Sequence, residues 1–107
     1  MKVSNMTGRT GKPIANQFII SEEGHGANGN FKLREYFQSY ESVIVDRIIW
    51  GAKDAYTTKD KVEIKLDSKY WNYSATTSKY RNQFLNETTA ETKHKIETGE
   101  YILTNLN

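Results

Sequence analysis

Cysteine is absent from the 107-residue chain, which excludes disulfide scaffolds, thiol redox chemistry and zinc ribbons. Histidine is nearly as scarce: His25 sits in a glycine-rich stretch and His94 in a polar one, with no spacing that pairs them as metal ligands. No segment approaches the roughly 18 consecutive apolar residues of a membrane helix, and no apolar run follows Met1-Lys2-Val3-Ser4-Asn5 to make a signal peptide. A cytoplasmic protein is therefore expected, and the sequons at Asn5, Asn72 and Asn86 read as chance matches. Charge of one sign is missing too. Fifteen Lys and Arg stand against thirteen Asp and Glu, too even a balance to announce a nucleic acid or an anionic surface.

Catalytic patterns are equally sparse. Gly24-His25-Gly26-Ala27-Asn28-Gly29 matches the letters of a dinucleotide-binding loop, yet no helix follows and the chain has no room for that fold, so a hairpin loop is the better reading. Gly8 to Lys12 is too short for a phosphate loop, and Pro13 stands where a Ser or Thr should bind magnesium. No serine occupies a nucleophile elbow. Glu22 and Glu23 are adjacent carboxylates in a polar stretch, where solvation is the default. Neither catalysis nor a metal or other cofactor is expected.

What is present suits one α+β domain over residues 1–107. Lys2 to Met6 predicts a short strand, Thr7 to Pro13 a turn and Gln17 to Ile20 a strand. After the loop from Glu22 to Asn30, Phe31 to Tyr40 alternates as a strand should. In Ser42 to Trp50, Ile44, Val45, Ile48 and Ile49 would also draw a helical stripe, but the density of β-branched residues favours a strand. Gly51 to Asp60 reads as a loop. Lys61 to Asp67 alternates most cleanly, with Val62, Ile64 and Leu66 on one face. A helix capped by Thr76 or Thr77 then runs to about Leu85, and Thr88-Thr89-Ala90-Glu91 has capping-box spacing for a second helix that Gly99 stops. Tyr101 to Leu103 returns as an edge strand. The expected architecture is an antiparallel sheet of four to six strands followed by two short C-terminal helices.

The aromatic residues are bunched, as Tyr36, Phe37 and Tyr40 and again as Tyr70, Trp71, Tyr73 and Tyr80. Most are expected to pack between sheet and helices. The sharper reading makes Tyr36, Tyr40, Tyr70, Trp71 and Tyr73 a partner-binding surface, because Tyr and Trp combine a large apolar body with a polar tip. Lys79 and Arg81, with Lys69 and Arg34, stand beside these rings and would suit stacked bases of a single strand. Residues 1–53 carry seven positive and five negative side chains and residues 54–107 carry eight of each, so neither half forms a basic stripe.

The order Asn5-Met6-Thr7, Asn16-Gln17-Phe18-Ile19-Ile20, Tyr36-Phe37-Gln38-Ser39-Tyr40, Tyr70-Trp71-Asn72-Tyr73-Ser74 with Thr76-Thr77, and Lys79-Tyr80-Arg81-Asn82-Gln83-Phe84-Leu85 resembles a family of small bacteriophage and mobile-element proteins with no assigned activity. The stretches Gly24 to Asn30 and Trp50 to Asp60 are longer than the compact pattern of that family. The resemblance implies a setting inside a bacterial host. There a small protein without catalytic motifs acts by binding a host or phage protein or ribonucleoprotein complex, foremost as an anti-CRISPR-like inhibitor of a defence complex. Single-stranded nucleic-acid binding is the alternative.

Overall fold

The computed structural model describes residues 1–24, 31–51 and 61–107. Its elements are β1 (Lys2–Thr7), β2 (Pro13–Glu23), β3 (Phe31–Ser39), β4 (Ser42–Trp50), β5 (Lys61–Asp67), α1 (Ala75–Leu85), α2 (Thr89–Glu97) and β6 (Tyr101–Thr104). The six strands form one sheet in chain order, and the fold is α+β as its pattern implies. Five strands make an antiparallel meander. The sixth departs from the all-antiparallel expectation and pairs parallel to β5, because the two-helix connection supplies the long crossover that a parallel neighbour requires.

Cross-strand partners share a face, so the register shows which side holds the core. Ile19, Phe37, Val45 and Leu66 stand in one row across β2 to β5, and the last three are fully buried. Met6, Ile44, Phe84 and Tyr101 complete the cluster, with Ile96 of α2 packed against it. The helical look of β4 has a definite origin. The pairing with β3 shifts between Phe37 and Gln38, leaving Ile44 as an extra residue, so that Ile44 and Val45 both enter the core. Ile48 then falls in the row of the opposite face, with Arg34 and Glu63.

Both helices cover the Phe37 face. The Phe84 ring stacks on Phe37 at 5.9 Å, and the hydroxyls of Ser39 and Thr77 share a hydrogen bond of 3.1 Å. Arg47 fastens α1 to the sheet: it pairs with Glu35 at 2.8 Å, donates to the Phe84 carbonyl at 3.2 Å, and lies 4.2 Å from the Phe84 ring centre. The cap of α1 is Ser74, not Thr76 or Thr77. Ser74 has extended dihedrals and its hydroxyl accepts from the Thr77 amide, whereas Thr77 is already helical and buried. Thr88 and Glu91 form the reciprocal capping box at 3.2 Å each way. Gly99, at φ 82°, ends that helix with its amide donating to the Ile96 carbonyl. Strand β2 is longer than Gln17 to Ile20 at both ends: it begins at Pro13, a position where a strand tolerates proline, and runs to Glu23, so Glu22 and Glu23, expected in the loop, are strand residues paired with Arg34 and Leu33. The loop readings for residues 25–30, including His25, and 52–60 lie outside the described residues. Among the described residues no helix is long and apolar enough to cross a membrane.

Candidate functional site

The aromatic residues singled out above divide between three places. Tyr36 lies in β3 on the face away from the helices, across from Ile20 and Asp46. The Arg34 guanidinium sits 5.0 Å from its ring centre and forks onto Asp46, Nε to Oδ1 at 3.1 Å and Nη2 to Oδ2 at 2.8 Å. Burial, followed by the charge of Asp46, raises the Tyr36 phenol above its ordinary range against the opposing pull of Arg34.

Trp71 and Arg81 form an internal brace. Arg81 is wholly enclosed, and its guanidinium lies 5.2 Å from the Trp71 ring centre. It donates to the Trp71 carbonyl, to Asn72 Oδ1 at 3.3 Å, to Asn82 Oδ1 at 3.0 Å and to Thr89 Oγ1 at 2.9 Å. No carboxylate is among these acceptors. Burial lowers its proton affinity, with the charge of Glu87 pulling the other way. This buried charge ties the segment before α1 to the start of α2. Lys79 is exposed; its Nζ lies 5.3 Å from the Tyr80 ring centre, at a cleft lined also by Arg9, Ile14 and Gln83.

Tyr40, Tyr70 and Tyr73 do converge. With Asn16, Ser39, Glu41 and Ser42 they line an open notch with a volume of about 490 Å³. The Tyr70 and Tyr73 rings meet edge to face at 5.5 Å, and Tyr73 is 63% exposed and Tyr40 50%. Tyr40 and Glu41 form the two-residue connection between the paired Ser39 and Ser42. Tyr40 carries φ 55° at the position where a type II′ hairpin uses glycine. Its amide donates to the carbonyl of Asn16 at 2.7 Å, and Asn16 is itself left-handed at φ 62°. Asparagine tolerates that conformation; for a residue with a bulky side chain it costs on the order of 1–2 kcal/mol.

Asp67 holds the other wall. It is 1% exposed, and Oδ2 accepts from the amides of Tyr70 at 2.9 Å and Lys69 at 3.1 Å while Oδ1 accepts from Leu106 at 2.8 Å. Burial alone would raise its pKa, but the donors from Leu106, Tyr70, Asn107 and Lys69 outweigh it and hold the carboxyl below its ordinary range. The Asn107 side chain pairs with both main-chain groups of Val43, next to the notch, at 2.8 Å and 2.9 Å. Asn16, Glu41 and Asp67 were not foreseen as site residues. The sequence predicts a strand that runs on through Tyr40, whereas β3 ends at Ser39 and Tyr40 falls in the turn; nothing in composition flags a tyrosine at positive φ.

Among the described residues no group of three or more His, Cys, Asp or Glu is placed to hold a metal ion. No family model, curated protein or solved structure matches the chain. The reading of its function therefore rests on the geometry and on the motif order.

Proposed function

We propose that the chain is a binding protein without a reaction of its own and that a macromolecular partner docks over the notch of Tyr40, Tyr70 and Tyr73. The observation that carries this reading is Tyr40: a large ring is held in a strained backbone conformation, yet half of the residue remains in solvent. Core packing does not account for that strain, whereas presentation of the ring to a partner does. Partly exposed tyrosines around a concave patch are the usual anchors of protein interfaces.

The setting we propose is a bacteriophage or mobile-element accessory protein that acts on a host complex, foremost by inhibiting a defence complex. It is supported by the order of short motifs alone. A second reading, single-stranded nucleic-acid binding, is favoured by the cation-ring pairs Lys69–Tyr70 and Lys79–Tyr80. It is weakened because Arg34 is forked on Asp46 and Arg81 is enclosed. The test is capture of tagged protein from a nuclease-treated bacterial lysate, alongside the Tyr40→Ser/Tyr73→Ser variant. A stoichiometric protein partner retained by the parent and lost by the variant is the expected result. Equal retention by both would move docking elsewhere on the molecule, and loss of every partner on nuclease treatment would favour the nucleic-acid reading.

A further inference from the structure

The fold twice brings an arginine, an aromatic ring and a carboxylate together. Arg34 lies over Tyr36 and forks onto Asp46. Arg47 lies over Phe84 and donates Nε and Nη2 to one oxygen of Glu35 at 3.2 Å and 2.8 Å. The combination recurs because a guanidinium is planar: it can stack on a ring face while its edge donates to a carboxylate, with little hydration to lose.

The notch offers the acceptor half of this arrangement without the arginine. Among the described residues its lining contains three phenol rings and a single charged side chain, Glu41. Glu41 is exposed, and among the described residues no Lys or Arg pairs with it. Among the described residues the cation placed over one of these rings is Lys69, whose Nζ lies 5.2 Å from the Tyr70 ring centre. It stands outside the lining, and no cation of the described residues lies over the Tyr40 or Tyr73 ring.

We infer that the notch takes an arginine side chain of a protein partner, its guanidinium stacked on Tyr40 or Tyr73 and its edge donating to the Glu41 carboxylate. This deepens the docking reading and rests on it. A phosphodiester is the wrong complement, because the only charge that the described residues bring to the notch lining is negative.

The probe is the peptide acetyl-Gly-Arg-Gly-amide, titrated into the ¹⁵N-labelled protein, with its citrulline counterpart as a neutral isostere and oligo(dT) as a nucleic-acid control. The arginine peptide should shift the amides of residues 39–42 and 70–73, and citrulline should weaken the effect at least fivefold. Glu41→Gln and Tyr73→Ser, both at exposed positions, should each weaken it by a similar factor. No shift at these amides, or equal shifts from both peptides, overturns the assignment. Shifts there from oligo(dT) and not from the peptide overturn it in favour of nucleic acid. If the peptide fails while a protein partner still docks at Tyr73, the arginine assignment falls and the docking reading stands.

Discussion

The amide of Tyr40 donates to the carbonyl of Asn16 across 2.7 Å, and both residues are left-handed. Replacing Tyr40 with asparagine, which accepts that conformation readily, is expected to raise stability by about 0.5–1 kcal/mol while partner binding is lost. Urea denaturation and the capture assay, run on the same protein, check the two halves of this expectation.

Asp67 connects the wall of the notch to the residues after β6 through three main-chain donors. Asp67→Asn removes the charge and sets an NH₂ group against amide donors, so a loss of about 2–4 kcal/mol is expected in denaturant unfolding, with weakened partner binding.

The pH dependence on the acid side follows from the same group and from Glu87. Burial tends to raise Glu87, but hydrogen bonds from Lys95 at 2.7 Å and Thr92 at 2.8 Å outweigh it, and its folded pKa lies below the ordinary value. Depressed carboxylates contribute stability that is complete above their unfolded pKa and is lost as pH falls through the folded one. The urea midpoint should therefore drop as pH falls below about 4, and the Asp67→Asn and Glu87→Gln variants should each show a shallower acid limb.

On the alkaline side the sign reverses. Burial, then the nearby Glu87, pushes the Tyr101 phenol up to about 12. A raised pKa contributes stability below the unfolded value of about 10, and that contribution is lost as pH rises through the folded value. A titration followed by phenolate absorbance should show a late step near pH 12 that Tyr101→Phe removes, while the raised Tyr36 phenol is unaffected by that substitution.

Much of the fold was legible because alternation and capping are local signals. Lys61 to Asp67 and the Thr88–Glu91 box could be read directly, since each is a pattern within a few residues. The direction of β6 could not, because it depends on how two helices close a crossover. The ambiguity of Ser42 to Trp50 had a physical source in the bulge at Ile44, which gives a strand two successive core residues. For the site, the clustering of tyrosines was visible, and the structure brings Tyr40, Tyr70 and Tyr73 to one notch. The separation of Tyr36 from that notch and the enclosure of Arg81 follow from register and tertiary burial, which spacing does not carry.

Arg81 and Lys79 lie two residues apart on one helix, one enclosed and one exposed, and their replacement should differ sharply in cost. Arg81→Met takes away the donor to the Trp71 carbonyl and one of the two donors to the Thr89 hydroxyl, whose other donor is Asn82 Nδ2, and is expected to cost about 3 kcal/mol. Lys79→Ala, at an exposed position, is expected to change stability by less than about 0.5 kcal/mol. Parallel urea titrations of the two variants make the comparison.

Site-specific photocrosslinking addresses the docking surface most directly. A benzophenone amino acid is placed at Tyr73 in the notch and, in a second protein, at Tyr36 on the opposite sheet face, and bacterial cells expressing each are illuminated. A discrete protein adduct from position 73 and none from position 36 is the predicted result. An adduct from position 36 alone, or none from position 73, would contradict docking at the notch.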